Sequence, residues 1–588
     1  MNYIKNALIS IICIFLALLF SCNKTSDEAV TSGNHPSLTS ASLNITNFSN
    51  NGTAVAAILS VGLSNATAGL VTFAVNSSGA DFTPAIYISN ITAGQTSVDI
   101  PLIFDGTSNL TSETITVSAS SYATGSPSTT VTIGTSGSGF TSLWIPPTLS
   151  GTTFNLSLST STKQIRPGAV TPTYGYNENS FWGPTLIMNK GDHVQLNVTN
   201  GLTDQTTVHW HGFHIPANMD GGPHQIINAG ATWSPSFEVK NNAATYWYHP
   251  HLHLKTQEQL TKGAGGLIIV KDPLESALAL PRTYGTDDIP LVLTSRRYKS
   301  DNSFDLTTSY GDYLLTNGTP NAQISLPKQF IRFRILNAEI ERGYNLGLSD
   351  NRTFYVITND GGLLNSPVPV TRVKLMVGER VEILVNLGGD AVGSSIDMKA
   401  FNSGQTFGFP GAEPSTSGNF GSLLNNIDFT VLHINVGASS ASPIVTLPTT
   451  LTNNVYWTNA DVTNSRTITI TGGQGGSAFT FDNNTYGFNT INQNIQLNAI
   501  EKWTIVNNNI FGHSFHIHDI QFKIIARSAG TVSPYESGWK DVVYIPLGES
   551  VSVIARFDDF ADGVNPYMYH CHFSNHEDEG LMGQFLVK

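Results

Sequence analysis

The chain has 588 residues, of which 12% are charged, with a net charge of -13, sixteen His and only three Cys. An acidic chain without basic runs excludes nucleic acid as a partner, and three Cys exclude a disulfide framework. A charged fraction near half the usual ~25%, in a chain rich in Thr, Ser, Asn and Gly, points to extended structure with many turns rather than a helical bundle.

Residues 1–22 hold Lys5 and an apolar run at 7–20 broken only by Ser10, the layout of a signal peptide and too short to span a bilayer comfortably. The run ends in Leu19-Phe20-Ser21-Cys22, which resembles a bacterial lipobox. That resemblance implies export, acylation of Cys22 and membrane contact through a lipid anchor, with Asn23 pointing to the outer membrane. The protein is then periplasmic or displayed at the cell surface. Residues 23–37 are polar and acidic and read as a flexible tether. From 38 to 138 short alternating runs at 71–75, 85–88, 97–104 and 113–119 are separated by turn residues such as Asn50-Asn51-Gly52 and Asp105-Gly106. This spacing predicts a small Ig-like β-sandwich, a spacer or interaction module without a visible site.

Strand patterning continues from 139 to the C-terminus, and no long segment has helical period. One helical turn is expected at 255–262. Turns near Asp272-Pro273 and at 440–448 divide the region into 139–285, 286–445 and 446–588. The fold class is therefore all-β, with three consecutive β-sandwiches after the small one.

The histidines are not scattered. Random placement would give about 0.4 His-x-His patterns by template counting, whereas the sequence has five. They fall in four clusters: His209-Trp210-His211, His249-Pro250-His251-Leu252-His253, His513-Ser514-Phe515-His516-Ile517-His518, and His570-Cys571-His572 followed by His576. Side chains two apart on a strand share a face, so each pair offers two imidazoles to one metal region. In the last cluster His570 and His572 face one way and Cys571 the other, so a single strand joins two different sites. His513, three residues before His516, is free to face oppositely, and His513, Cys571 and His576 make a His2Cys set with eight imidazoles left over. His2Cys is the donor group of a blue copper centre, in which the thiolate is strongly coupled to the metal. Zinc has no redox role, and eight imidazoles are too many for one zinc. They match three coppers.

With these clusters the region from about 140 to 588 resembles the three-domain multicopper oxidases, the family of laccases, bilirubin oxidases and bacterial cuprous oxidases. Gly183-Pro184-Thr185, Arg332-Phe333-Arg334-Ile335-Leu336-Asn337, Asn359-Asp360-Gly361-Gly362 and Gly378-Glu379-Arg380 add to the likeness. The resemblance implies cupredoxin-like Greek-key domains and four copper ions. Type 1 copper would be held by His513, Cys571 and His576, and type 2 by His209 and His516. Of the type 3 pair, one copper would be held by His211, His249 and His572 and the other by His251, His518 and His570. His214, His224 and His253 match no ligand position. Asp220 and Glu577 match carboxylates that resemble the family's proton donors to reduced oxygen. Ten residues beyond Cys571 the axial position is Leu581, where close relatives carry Met. Loss of a thioether donor there raises the reduction potential.

The implied reaction is oxidation of a small reducing substrate, one electron at a time, coupled to reduction of O2 to two H2O. Electrons are expected to enter through an exposed edge of His513. Phenols or aromatic amines are the first substrate class. Oxidation of cuprous or ferrous ion is the alternative, weakened by seven Met in total and no Met-rich insertion. A non-catalytic copper-binding or scaffold protein on the same fold is the reading from a different class.

Overall fold

The computed structural model describes residues 36–588 apart from 44, 46, 50–54, 80, 105–111, 120–125, 135–139, 416–419 and 474–476. The leader with Cys22, the tether before residue 36 and the expected turns at 50–52 and 105–106 lie outside the described residues. The chain forms two compact units that divide between Gly137 and Ser138.

The first unit is a sandwich of two antiparallel-rich sheets. One holds the strands Ser37–Leu43, Val55–Ser64, Ser97–Phe104 and Phe82–Thr83; the other runs Asn47–Ser49, Ser128–Gly134, Ser112–Ala119, Gly69–Ser77, Ile86–Ile91. Ser97–Phe104 buries every second residue, the period-2 pattern that lets one sheet face be apolar. Those faces meet in a core that includes Leu59, Ile100, Phe73 and Val117, with Phe48, Phe82 and Phe104 packed ring to ring.

The second unit holds six sheets in three successive pairs, each pair around its own core. Strand order within a sheet skips sequence neighbours. In the first pair Thr153–Lys163 lies parallel to His193–Asn200, and in the third Asn464–Thr471 lies parallel to Ala499–Asn507, so the chain between them crosses over rather than turning back as a hairpin. Each fully buried Leu, Ile or Phe of these cores contributes about 1.5–3 kcal/mol. The segment at 141–142, expected in the first sandwich, instead pairs with Ala322–Pro327 as an edge strand of the second. Leu143 is buried in that second core and Ile145 packs against it, so the entering chain is carried across before it turns back at Thr148–Ser150.

The helical turn forms as Thr256–Lys262. Its first amides, Thr256 N and Gln257 N, donate to the two carboxylate oxygens of Asp578 at 3.1 and 2.9 Å. A carboxylate is favoured at a helix N-terminus by the unsatisfied N–H groups and the dipole. Asp578 belongs to the helix Ser574–Asp578 of the third sandwich, so this cap ties the first sandwich to the last.

Candidate metal centre

The four clusters arrive on two strand pairs. His209–His211 runs antiparallel to Ala244–His249, with His209 opposite His249. His513–Ile517 runs antiparallel to Asp562–Cys571, with His516 opposite His570 and Phe515 opposite Cys571. Cross-strand partners share a face, so His516 and His570 look to one side and Phe515 and Cys571 to the other.

Eight imidazoles converge, all essentially excluded from solvent. His211 Nδ1 lies 3.3 Å from His249 Nε2 and 3.0 Å from His572 Nε2. His251 Nε2 lies 3.2 Å from both His518 Nε2 and His570 Nε2. His209 and His516 each present a buried Nε2 without a hydrogen-bond partner among the described residues. Other triplets, including His209, His516 and His518, are also compact, so proximity alone does not divide the eight among ions.

The outer nitrogens of seven of the eight are tied down, and that of His572, Nδ1, has no hydrogen-bond partner among the described residues. His209 Nδ1 donates to the Asp220 carbonyl at 2.9 Å, His249 Nδ1 to the Pro250 carbonyl at 2.8 Å, His516 Nδ1 to the Asp541 carbonyl at 2.7 Å and His570 Nδ1 to the Cys571 carbonyl at 3.1 Å. His518 Nδ1 meets Asp220 Oδ2 at 2.7 Å, His251 Nδ1 meets Glu577 Oε1 at 3.0 Å, and His211 Nε2 meets Asp541 Oδ1 at 3.0 Å. A neutral imidazole with one nitrogen donating outward keeps a lone pair on the other. At His251, His518 and His570, and at His211 and His249, the inward nitrogens are therefore acceptors facing acceptors at hydrogen-bond distance, an arrangement that a cation relieves. Burial first, with neighbouring imidazoles adding to it, holds His211, His249, His516 and His518 well below the usual histidine range.

On the opposite strand face Cys571 Sγ lies 3.5 Å from His513 Nδ1 and 3.7 Å from His576 Nδ1. Burial pushes the Cys571 thiol up to about 12, so a thiolate there needs a neighbouring positive charge. Leu581 packs in the same core as Cys571 and its carbonyl accepts from the Cys571 amide at 3.1 Å. Met582 pairs with His570 on the other face. Strand parity thus leaves no thioether on the Cys571 face.

A multicopper oxidase of Staphylococcus haemolyticus (strain JCSC1435) is 31% identical over 424 residues, which cover 71% of this chain and 84% of that protein. The chain belongs to the multicopper oxidase family. Family profiles described as multicopper oxidase match residues 159–275 and 459–588. The Cell division protein FtsP of Sodalis glossinidius (strain morsitans) is 30% identical over 76% of this chain and 92% of its own. The solved McoA multicopper oxidase of Aquifex aeolicus superposes with a TM-score of 0.69 at 28% identity, over 76% of this chain and all of that one.

Copper is the metal that membership implies, and the donors of this oxidase fit it: a soft thiolate with two imidazoles on one side and inward-facing imidazoles on the other. The carboxylates lie where they bear on the histidines. Asp220 contacts both His518 and His209, the latter at 3.3 Å from Oδ1. It is also the turn residue before Gly221, whose φ is +80° and where a Cβ would collide with the Val208 carbonyl. Glu577 bridges His251 and His570 and accepts from the Thr256 hydroxyl at 2.6 Å. Burial raises its carboxyl, but His251 and His570 outweigh burial and bring it down to about 2.

One expectation is corrected. His513 has no exposed edge: it is 0% exposed and His576 only 2%. The ring of Phe479 lies 4.1 Å from His576 and 5.4 Å from His513, and Phe573 closes another side. Of the unassigned histidines, His214 is partly buried between Asp519 (2.8 Å) and Asp559 (2.7 Å), His224 bonds Gln584, and His253 lies against Tyr486.

The spacing rules missed Asp541. Its carboxylate takes both terminal nitrogens of Arg380, at 2.6 and 2.7 Å, while orienting His211, and its carbonyl orients His516. Such outer partners fix the tautomer and direction of metal-binding imidazoles. Arg380 belongs to a motif visible in the sequence, but its partner lies 161 residues away.

Proposed function

We propose that this multicopper oxidase is laccase-like, taking single electrons from a small aromatic reductant and passing them to O2. His513, Cys571 and His576 would hold type 1 copper, and His209 and His516 type 2. His211, His249 and His572 would hold one type 3 copper, and His251, His518 and His570 the other. When bound, the coppers would supply one-electron transfer at Cys571 and four-electron reduction of O2 to two H2O at the imidazole cluster. The observation that carries this reading is one strand that presents Cys571 on one face and His570 and His572 on the other, so the two donor sets share a few covalent bonds of backbone.

Forming two waters consumes four protons. Asp220 faces His518 with one oxygen and His209 with the other, and Glu577 faces His251 and His570 in the same way, the second contacts being the longer at 3.3 and 3.4 Å. Each is thus placed to pass protons toward the cluster.

The aromatic class is supported by the surface beside His513. Phe407, Phe420 and Ile510 are exposed, Phe420 packs on Phe511, and the Gly512 amide donates to the Gly408 carbonyl. An apolar surface suits a phenol or aromatic amine better than a hydrated cation. Turnover on a methoxyphenol should proceed without added copper; turnover confined to Cu(I) or Fe(II) would overturn the substrate class. The likeness to FtsP favours a second reading, a scaffold role, which the complete set of ten His and Cys571 opposes. Export with acylation at Cys22 completes the proposal, and a Cys22→Ala protein that stays membrane-bound would contradict it.

A further inference from the structure

Two buried carboxyl groups lie close to the Cys571 donor set and take no part in the function proposed above. Glu341 follows the strand Phe330–Asn337 and Glu413 lies in the loop after Ser395–Phe401; both are almost fully buried. The Tyr310 hydroxyl donates to Glu341 Oε1 at 3.1 Å and also reaches Glu413. Asn575, the residue before His576, donates from Nδ2 to Glu341 Oε2 at 3.1 Å. The Ser574 amide donates to the Ile340 carbonyl at 3.1 Å. The 340–341 segment is therefore tied by two hydrogen bonds to the helix that carries His576.

Neither acid has an ion-pair partner among the described residues. Arg342 acts on Glu413 through its charge, but its terminal nitrogens donate to the carbonyls of Leu424 and Gly311 and to the Ser422 hydroxyl, and its guanidinium lies over the Tyr310 ring. Other polar groups facing the pair are Ser309, which bonds Glu341, the Gly411 amide, which donates to Glu413 Oε2 at 2.8 Å, and the Tyr544 phenol, which, behind burial, the Glu413 charge helps to hold above the usual tyrosine range. Two carboxylates sharing a buried site cannot both ionise cheaply, and such pairs titrate together. Burial, followed by the Glu413 charge, pushes Glu341 up to about 7. Behind burial, Glu341 is among the groups that push the Cys571 thiol up, so its charge is felt at the donor set.

We propose that Glu341 and Glu413 hold one proton between them, and that this proton sets the reduction potential of the copper site at Cys571. The inference rests on the type 1 reading given above. Reduction adds one electron to the site, and the pair, facing one positive charge fewer, binds one proton from solvent. Reoxidation, with the electron passed on toward O2, returns the proton to solvent. As pH rises through about 7 the shared proton leaves. The added negative charge favours the oxidised state, so the potential falls.

The test is a redox titration of the thiolate-to-copper absorption of the copper-loaded protein across that pH range, for the parent, Glu341→Gln and Glu413→Gln. The parent potential should fall with rising pH by the equivalent of about fivefold or more in the reduction equilibrium, the lower end of ordinary coupling between two sites. In Glu341→Gln, which keeps the shape and the Asn575 and Tyr310 contacts, the fall should be lost. The same fall in both glutamine variants as in the parent would overturn the proposal. A parent protein without the absorption would overturn the type 1 reading itself, a different failure that is seen before any titration.

Discussion

Replacing Cys571 by Ser should abolish the intense blue absorption and the oxidase turnover together. Cys571 is the sole thiol among the described residues, fully buried, with His513 and His576 nitrogens within 3.7 Å of its sulfur. A serine hydroxyl fits the space but supplies neither a soft donor nor a strong electronic coupling to the metal. His570 and His572 lie on the other face of that strand, and the other six imidazoles come from other segments with their own tethers, so most of the copper should stay bound. Turnover should fall by roughly a thousandfold or more, the scale seen when one member of a set that acts as a unit is removed. The fold should survive, because the cost is that of one buried hydroxyl without a good partner, about 1–3 kcal/mol. Absorbance and oxygen uptake measure the two losses separately. Retained turnover in the colourless protein would mean that electrons enter by another route.

Replacing Asp541 by Ala should damage stability and copper retention at once. Arg380 is 1% exposed and its terminal nitrogens are bidentate with Asp541. Removing one partner of a buried ion pair strands the other charge, typically at about 3–5 kcal/mol. Asp360 is the remaining carboxylate near Arg380, at 3.8 Å, and it also faces Lys540 at 3.1 Å, so it compensates only in part. His211 would lose the acceptor at Nε2 that leaves its Nδ1 lone pair facing inward. Outer-partner losses of this kind weaken metal binding about 10–100-fold. Denaturant melts and copper retention against a chelator should both move. Asp541→Asn, which keeps the volume, should retain more stability while still loosening copper. Unchanged copper retention in both variants would remove Asp541 from the metal centre's support.

The contrast between these two residues shows what was legible in the sequence. His570-Cys571-His572 could be read because a strand's period of two sorts neighbours onto faces without knowledge of the rest of the fold, and the same parity separates Leu581 from Met582. The helix at 256–262 was legible from local pattern, but its cap, Asp578, was not. Asp541 lies 330 residues from His211 and follows no spacing rule, so only the packing of the first sandwich against the third reveals it. The burial of His513 failed for a related reason: Phe479 and Phe573, which cover it, are ordinary core aromatics in the sequence. The pairing of 141–142 with the second sandwich is likewise a tertiary choice, made by packing of Leu143 and Ile145 rather than by local propensity.

The central claim is that one strand separates a thiolate site from a cluster that holds three more metal ions. The copper content of the purified, copper-loaded protein tests it most directly. The account predicts four coppers per chain, with one lost and the blue colour absent in Cys571→Ser; a parent content of one or none per chain would contradict it.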